Sequence, residues 1–575
     1  MEQVQKTEIN ELFQRVYPGR DVTKLLERPP KGVPGDFGLP CFFLAKELRR
    51  SPVQIAEEVA ANLRSHLADF PLLARVESNG PYVNFFVDPA SRAENTLRAI
   101  LASPGEYGGA AGSGDGGVVV VEYPSPNTNK PLHVGHVRNL LLGQTISRVL
   151  KFRGRDVRQV NLYNDRGIHI CKSMLAYQRW GNGSDPKGEG VKPDHFVGKY
   201  YSRFTKEANE DPSLNDEAAE MLRAWEAGDP GVRALWKKMN EWAYEGFRQT
   251  FEYFGVRFDR VYHESDLYEG GKREVLKALE AGTFERREDG AVVARLQEKY
   301  GLPDKVLLRA DGTTVYMTQD VYLARRKWED FKPDLSILVV GNAQTLHFQR
   351  LFKVLELLGV PGKHYHFAYG MISLPEGRMG SRYGNVVLAD DLIAELRKLA
   401  ERAVRQRHPE LDGEECRRRA TAIAMAALRF KILLYDPAKN FVFDPEESIG
   451  FEGETGPYVQ YVHARASSIL EKAGVTEVDA RGVDVSLLSH EKENALVELL
   501  ERFPTVVGQA ENFKLHLLAR YLLDLCQAFN EFYHNCDVIH APRGLRDARL
   551  ALVKATKEVV KTGLELFGIE PLEKM

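Results

Sequence analysis

The sequence predicts a multidomain protein of mixed α/β and all-α class, with an open Rossmann-type α/β domain at its centre. Three observations support this fold class. Residues 118–121 are four valines followed by Glu122, a short β-branched run that is typical of a buried parallel strand. A polar loop follows, and then a helical pattern from about His133 to Gly154. From about residue 389, apolar residues recur three and four positions apart over long segments, as they do in helical bundles.

The order of these patterns divides the 575 residues into several domains. The predicted segments are a small α+β domain (1–103), a glycine-rich linker (104–117), the α/β domain (118–388) with an insertion at about 168–300, and a helical domain (389–575). In the first domain, Ser51–Gln54 has the spacing of a helix capping box, with proline at the first helical position.

The composition excludes several classes of protein. A net charge of -3 gives no overall basic signal, so any contact with nucleic acid would use local patches. The five cysteines form no C-x-x-C pair, which argues against a zinc ribbon and a disulfide framework. There is no apolar run of membrane-spanning length and no signal-peptide core in the first ten residues. We therefore expect a cytoplasmic protein with no membrane contact and no metal site encoded by spacing.

The start of the first α/β helix carries the motif that most restricts the function. Ligands bind beyond the carboxyl ends of strands in open α/β sheets, and a helix N-terminus there favours phosphate. The sequence places His133, Gly135 and His136 at this point, with Lys130 just ahead of them. Imidazoles can donate hydrogen bonds to phosphate oxygens, glycine lets a base or ribose approach the backbone, and lysine adds positive charge. One histidine at a helix start is usually a solvated cap, but two that bracket Val-Gly predict a nucleotide site.

The segment SPNTNKPLHVGHVRN (125–139) resembles the nucleotide-binding signature of class I aminoacyl-tRNA synthetases, and specifically the arginyl-tRNA synthetase version. Further segments resemble the same family: GDFGLPCFFLAKEL and NGPYVNFFV its added tRNA-contacting N-terminal domain, TTVYMTQDVYLARRK its substrate pocket, and GETGPYVQYVHARASSIL its anticodon-binding bundle. The resemblance implies ATP-dependent ligation of arginine to tRNA(Arg) through arginyl-adenylate, with bound tRNA needed for activation. It also implies that Mg²⁺ arrives with ATP, held mostly by the phosphates. We expect a monomer.

The second ATP element is expected in the loop EGRMGSRYGN (376–385), which departs from the usual lysine-containing loop of class I synthetases. Arg378 stands where the first lysine is usual and Ser381 where the second is, while Arg382 keeps further positive charge on the loop. The resemblance implies ATP contacts for His133, Gly135, His136, Met379 and Ser381. The predicted catalytic residues are Lys130, His133, His136, Arg378 and Arg382.

A pocket for arginine should offer carboxylates and a neutral acceptor to the guanidinium group. Glu122 ends the first strand, and Tyr316 and Asp320 lie four residues apart, so they share one face of a helical turn. The resemblance implies that these three residues bind the guanidinium, and that Asn127 and Gln344 hold the α-amino and carboxylate end. The predicted arginine-binding residues are Glu122, Asn127, His133, Tyr316, Asp320 and Gln344.

In the helical domain, Tyr458, Tyr461 and His463 are candidates for stacking on splayed tRNA bases, and Lys514 and Arg520 for phosphate contacts. Two alternatives stay open. One is a class I ligase or nucleotidyltransferase for another cationic or small amino acid. The other is a non-catalytic tRNA-binding paralogue.

Overall fold

The first part of the chain forms a small α+β unit around its own core. The computed structural model describes residues 2–30, 32–110, 116–375, 387–475 and 482–575. In this unit, helices pack against an antiparallel sheet with strand order 1-3-2. Its main elements are α1 (Glu2–Val16), β1 (Phe37–Pro40), α2 (Phe42–Leu48), α3 (Pro52–Arg64), β2 (Leu73–Asn79) and β3 (Tyr82–Val87). Helix α3 begins at Pro52, but Ser51 makes no side-chain cap hydrogen bond, so the predicted capping box is wrong.

Helix α4 (Pro89–Ala102) belongs to a different core from the unit before it. The N-terminal core extends only to Val87. The buried face of α4, which includes Leu97 and Ile100, joins the large core shared by the α/β and helical regions. The packing therefore changes at Val87, ahead of the predicted boundary at residue 103.

The central region contains the strands and helices that position the site. In chain order they are β4 (Gly116–Glu122), α5 (Val134–Phe152), β5 (Arg155–Tyr163), α6 (Ile168–Trp180), α7 (Pro186–Glu189), α8 (Pro193–Glu210), α9 (Leu214–Glu226), α10 (Pro230–Tyr253), β6 (Arg260–His263), α11 (Glu264–Glu280), β7 (Glu285–Arg286), β8 (Val292–Ala294), α12 (Gln297–Tyr300), β9 (Lys305–Leu308), α13 (Tyr316–Phe331), β10 (Leu335–Gly341), α14 (Thr345–Leu357), β11 (Lys363–Tyr369) and β12 (Ile372–Ser373).

Five of these strands form a parallel sheet in the order β11-β10-β4-β5-β6, which confirms the predicted α/β fold class. Three valines of β4, Val119, Val120 and Val121, are buried, and they lie on both faces of the strand, as expected for a central parallel strand. The chain leaves β4 toward β5 on one side and returns to pair β10 on the other. This is a topological switch point, where a crevice opens beyond the carboxyl ends of the strands.

The helices α6–α10 lie between β5 and β6 and are tied to the sheet at Asp165, just after β5. The buried Asp165 carboxylate accepts hydrogen bonds from the Tyr244 hydroxyl at 2.7 Å and from the Ser265 backbone N–H at 2.9 Å. Trp236 Nε1 donates to the Asp165 backbone oxygen at 2.6 Å. These contacts hold the inserted helices beside the strand ends.

A helical domain completes the chain, as predicted. Its elements are α15 (Ala389–Arg407), α16 (Gly413–Leu434), β13 (Phe441–Val442), α17 (Pro445–Ser448), α18 (Gly456–Ala473), α19 (Glu491–Glu511), α20 (Leu515–Asn535) and α21 (Arg543–Leu566). The short strand β13 pairs in parallel with β12 and joins the two domains. All five cysteines are buried and free. Within the described ranges, no helix has both the length and the apolar character needed to cross a membrane.

Candidate active site

A cavity of about 1260 Å³ lies at the switch point, beyond the carboxyl ends of β4 and β10. Side chains reach it from the end of β4, the start of α5, the start of α13 and the turn Asn342–Gln344 that follows β10. Every predicted arginine-binding residue lines it, and so do three predicted ATP-binding residues, of which His133 belongs to both sets: Glu122, Asn127, His133, Gly135, His136, Tyr316, Asp320 and Gln344. Lys130 is half-buried nearby and is not among the lining residues.

His133 and His136 cap the helix that begins at this cavity. Nδ1 of His133 accepts a hydrogen bond from the Gly135 backbone N–H, and Nδ1 of His136 accepts one from the His133 backbone N–H, both at 3.1 Å. Because each Nδ1 accepts, each neutral ring carries its proton on Nε2. A Cβ on Gly135 would lie 2.9 Å from Cε1 of His133, so glycine leaves room for the capping ring.

Burial keeps both histidines neutral. Burial first, and then the positive charge of Lys130, lowers the pKa of His133 to about 4. The pKa of His136 is lowered well below its ordinary value by burial, and further by His133 and Lys130. At neutral pH both rings are therefore hydrogen-bond donors through Nε2 and carry no charge.

Asp320 and Tyr316 lie one turn apart at the start of α13. Tyr316 is 70% exposed, so its ring stands open to the cavity. Oδ2 of Asp320 lies 2.7 Å from Nε2 of His347 on α14. In the described part of the chain, no other hydrogen bond reaches the Asp320 carboxylate. His347 therefore orients a carboxylate that can still accept a hydrogen bond from a ligand.

Glu122 is paired within the protein. It is 6% exposed, and its Oε2 accepts a hydrogen bond from the buried Lys327 Nζ at 2.7 Å. Its other oxygen lies 3.4 Å from Ser125 Oγ. Because Lys327 neutralises Glu122, Asp320 is the carboxylate of the cavity wall that no lysine or arginine pairs with among the described residues.

Asn127 and Gln344 bring amide groups from two different strand ends. Asn127 lies in the loop after β4, where its backbone pairs with Asn164 after β5. Gln344 ends the turn after β10. Both side chains are exposed and line the cavity, so their amides are available to a polar ligand between the two loops.

Glu264 is a residue near the site that sequence reasoning missed. It is the first residue of α11, directly after β6, and is 4% exposed. Burial raises its pKa to about 8, with Arg166 opposing the rise and Asp165 and Asp320 adding to it. It is therefore largely protonated at neutral pH. A glutamate at the carboxyl end of a strand was the signal that could have identified it.

Arg138 was also missed, although it lies within the HVGHVRN segment. It is fully buried. Its Nη1 donates to the backbone oxygens of Gly370 (2.6 Å) and Met371 (3.0 Å), and its Nη2 to those of Pro437 (3.0 Å) and Lys439 (2.9 Å). Burial lowers the pKa of this guanidinium to about 10, so it stays charged at neutral pH. Arg138 thus joins α5, the strand end beside the cavity and the segment between α16 and β13.

The predicted second ATP loop, with Arg378, Met379, Ser381 and Arg382, lies outside the described residues. Residues on both sides of it, Leu374, Pro375 and Val387, line the cavity. Next to it, the backbone oxygen of Val387 accepts a hydrogen bond from Val134 N at 3.0 Å, and Ala389 N donates to Leu132 O at 2.9 Å. The loop therefore connects two segments at the cavity, and the second is bonded to the start of α5.

A cluster of metal-binding residue types lies at the start of α15. The cluster offers one ligand atom from each of three residues, Asp194, His195 and Asp390, and these three atoms lie within 4.8 Å of one another. The Lys192 ammonium is 2.8 Å from Asp390 Oδ2 and 3.4 Å from Asp194 Oδ1, and His195 Nε2 is 2.8 Å from the same Asp390 oxygen. Lys192 supplies the positive charge between the carboxylates. We interpret the cluster as an ion-pair network that ties the inserted helices to the first helix after the ATP loop.

The structure separates the three base-stacking candidates of α18. Tyr458 and Tyr461 are half-buried. Arg465 Nη2 donates to the Tyr461 hydroxyl at 2.7 Å, and its guanidinium lies 4.7 Å from the ring centroid. His463 is fully buried, with Nδ1 2.9 Å from the backbone oxygen of Leu572. The stacking role predicted for His463 is therefore wrong, because its ring lies on the inner face of the helix.

The two phosphate-contact candidates are both exposed. Lys514 is the residue before α20. Arg520 is paired with the exposed Glu454. A surface pair of this kind is weak and exchanges readily for a contact with phosphate.

Comparison with known proteins gives matches along almost the whole chain. The matching family models are described as arginyl tRNA synthetase N terminal domain (residues 3–87), tRNA synthetases class I (R), catalytic domain (96–445), and DALR anticodon binding domain (459–575). The arginine–tRNA ligase of Treponema pallidum is 42% identical over 570 residues, covering 97% of this chain and 96% of the relative. That of Parabacteroides distasonis is 41% identical, covering 97% of each.

Solved structures give the same result. The Thermus thermophilus arginyl-tRNA synthetase matches with a TM-score of 0.80 and 30% identity over 100% of both chains. The fold and the site are those of a class I aminoacyl-tRNA synthetase: a parallel sheet with an HVGH helix start at its switch point, followed by an anticodon-binding helical domain. The chain belongs to the arginyl-tRNA synthetase family, whose reaction is the ATP-dependent ligation of arginine to tRNA(Arg).

Proposed function

We propose that the cavity binds arginine and ATP with Mg²⁺ side by side, joins them into arginyl-adenylate, and passes the arginyl group to tRNA(Arg). The observation that carries this proposal is the convergence of two kinds of group in one cavity. Neutral donors at the start of α5 form one part of the wall, and the carboxylate of Asp320 on α13, held by His347, forms another. The first suits a polyphosphate and the second suits a guanidinium.

Asp320 is the proposed anchor for the substrate guanidinium, with the Tyr316 hydroxyl as a neutral acceptor beside it. His347 fixes the carboxylate at 2.7 Å, which favours one geometry for a planar, forked donor. Glu122 adds an acceptor whose charge Lys327 already balances. Asn127 and Gln344 would hold the α-amino and carboxylate groups between the two loops.

The first step transfers the adenylyl group. A carboxylate oxygen of arginine attacks the α-phosphorus of ATP, a P–O bond forms, and the bond to pyrophosphate breaks. Nε2–H of His133 and His136 would donate to phosphate oxygens as negative charge grows on them, and Lys130, Arg378 and Arg382 would add positive charge. Positioning and electrostatic stabilisation account for most of the rate in such a site. In the second step a terminal ribose hydroxyl of the tRNA attacks the acyl carbon and AMP leaves.

Bound tRNA is proposed to complete the site before activation. The segment after the ATP loop is bonded to the start of α5 and leads directly into α15 of the helical domain. Asp390, in the first turn of α15, is held by Lys192 and His195 of the inserted segment. A tRNA that engages the helical domain through Tyr458, Tyr461, Lys514 and Arg520 would thereby act on the start of α5, where the histidines lie.

We also propose that the enzyme works as a monomer in the cytoplasm. The five buried, free cysteines fit a reducing compartment.

Two conservative replacements test the phosphate role of the histidines without removing the helix cap. Asparagine is a favoured N-cap residue and glutamine is favoured three residues later, so His133→Asn and His136→Gln keep capping groups in place. We expect each variant to lower kcat by about 100-fold or more, the loss typical for one donor to a developing oxyanion. Melting temperatures at pH 7.5 should stay close to that of the wild type. Unchanged turnover in both variants would show that the histidines do not stabilise the phosphate groups during the reaction.

His133→Asn should also change how the stability of the protein depends on pH. The unfolded chain takes up a proton at an ordinary histidine pKa of 6.5, whereas folded His133 does so only at about 4. Between these values the unfolded state binds more protons, so the contribution of His133 to stability falls as the pH falls from about 6.5 to 4. His133→Asn should therefore lose less stability than the wild type between pH 7.5 and pH 5 in urea unfolding. An equal loss would show that His133 is not held neutral.

A further inference from the structure

A second cavity, of about 590 Å³, lies where the α/β and helical domains meet. Its wall comes from α5, the end of α10, α15, α16 and the residues after α21. Five arginines and two glutamates line it, and the arginines are Arg148, Arg397, Arg417, Arg418 and Arg429. Arg418 is paired with Glu570 at 2.7 Å. The other charged residues of the wall are four arginines and Glu414, so the wall has an excess of positive charge.

Four of these arginines have no carboxylate partner in the described part of the chain, and two of the four, Arg148 and Arg429, contain buried nitrogens. Arg429 is 3% exposed and donates to neutral oxygens: Gln144 Oε1 at 2.7 Å, Phe254 O at 2.8 Å and Phe567 O at 3.2 Å. Its Nε is buried without a partner. Nη1 of Arg148 is also buried without a partner. Buried charges are normally paired, so this arrangement needs an explanation.

The two guanidinium groups lie side by side. A Cβ built on Gly568 would lie 2.1 Å from Nη1 of Arg148 and 2.7 Å from Nη1 of Arg429. Glycine at this position therefore keeps open the space between them. Burial, and then the charge of Arg148, lowers the pKa of Arg429 to about 9. The hydroxyl of Tyr253, in the same wall, is a further buried polar atom without a partner.

We propose that this cavity is an anion site that binds a phosphate group between Arg148 and Arg429, with Arg397 and Arg417 at its rim. Arginine pairs bind phosphate through several parallel N–H donors, which matches the unused nitrogens here. The phosphate group comes either from free phosphate or from the tRNA backbone. Arg148 lies twelve residues after His136 on α5, about 18 Å away along the helix. The site is therefore separate from the arginine and ATP cavity.

Melting temperature in inorganic phosphate tests the site, with arginine and a non-hydrolysable ATP analogue present to fill the active site. Sodium chloride at equal ionic strength is the salt control. We expect phosphate to raise the melting temperature of the wild type by about 2 °C or more at saturating concentration. Arg402→Gln is the control variant, because Arg402 is an exposed residue of α15 outside the cavity. Its melting temperature should respond to phosphate as that of the wild type does.

Arg148→Gln should lose this response. In chloride alone it should melt no lower than the wild type, because one of two neighbouring buried charges has been removed. The exposed Arg417→Gln is a second variant, which should weaken the response without touching the core. The proposal is overturned if the wild type does not respond to phosphate, or if both cavity variants respond as fully as Arg402→Gln does.

Binding of tRNA(Arg) at several salt concentrations separates the two sources of phosphate. If the tRNA backbone occupies the site, Arg148→Gln should reduce the slope of log K against log salt by about 1, and free phosphate should compete. If free phosphate is the ligand, tRNA affinity should be the same in Arg148→Gln and Arg402→Gln. Either result supports the site provided that the melting response is lost. If the anion site proves not to exist, arginine activation in the other cavity is unaffected, so that result would not count against the proposed function.

Discussion

Replacing Asp320 by asparagine should raise the KM for arginine about 100-fold, while the KM for ATP changes little. An effect of this size corresponds to about 3 kcal/mol, which is typical when one partner of a desolvated charge pair is removed. Asparagine keeps the size of the side chain and can still bond to His347, which holds the carboxylate at 2.7 Å. The change therefore removes mainly charge. Steady-state kinetics of aminoacylation, with each substrate varied in turn, measures both constants.

Glu122 is not expected to compensate for this loss, because Lys327 already neutralises it at 2.7 Å. Citrulline, which has the shape of arginine without its charge, should be discriminated less strongly by Asp320→Asn than by the wild type. Glu329→Gln is the matched control, since Glu329 lies on the same helix and pairs with Arg326 away from the cavity. An unchanged KM for arginine in Asp320→Asn would exclude Asp320 from guanidinium recognition.

Replacing Arg138 by methionine should lower the free energy of unfolding by about 3–5 kcal/mol, because each buried acceptor left without its donor costs about 1–3 kcal/mol and removal of the buried charge offsets part of that sum. The variant leaves four backbone oxygens, those of Gly370, Met371, Pro437 and Lys439, without their donor. Gly370 and Met371 line the active cavity, so turnover should fall as well. Urea unfolding followed by tryptophan fluorescence measures the loss of stability.

Two variants complete the test of Arg138. Arg138→Lys keeps the charge but not the forked geometry, so its stability should lie between those of the wild type and Arg138→Met. Arg158→Met, at an exposed pair with Asp156 on β5, should change stability by less than about 1 kcal/mol. Equal stability of Arg138→Met and Arg158→Met would show that Arg138 does not hold the domains together.

The local parts of the site could be predicted from the sequence because they depend on neighbouring residues. The valine run of β4, the HVGH helix start and the four-residue spacing of Tyr316 and Asp320 all act within a few positions of the chain. Ligands bind beyond the carboxyl ends of strands in an open α/β sheet, so the residues that follow β4 were expected to lie at a ligand site. The structure places them in one cavity.

The partners of these residues could not be predicted, because each comes from a distant part of the chain. Lys327 lies 205 positions from Glu122, and the carbonyl acceptors of Arg138 lie 232 to 301 positions away. Without Lys327, Glu122 resembles a second free carboxylate of the arginine pocket. The prediction for His463 was wrong for a related reason. Helical spacing shows which residues share a face, but not that the segment at Leu572 covers that face.

The most direct test of the central claim is arginine-dependent exchange of labelled pyrophosphate into ATP, measured with and without tRNA(Arg). We expect exchange with arginine, ATP, Mg²⁺ and tRNA, and none when lysine, citrulline or cysteine replaces arginine. Without tRNA the exchange should be lost, because the start of α5 is proposed to be coupled to the helical domain that binds tRNA. Equal exchange without tRNA would contradict that coupling but keep the arginine site. No exchange with arginine under either condition would contradict the proposal that this cavity activates arginine.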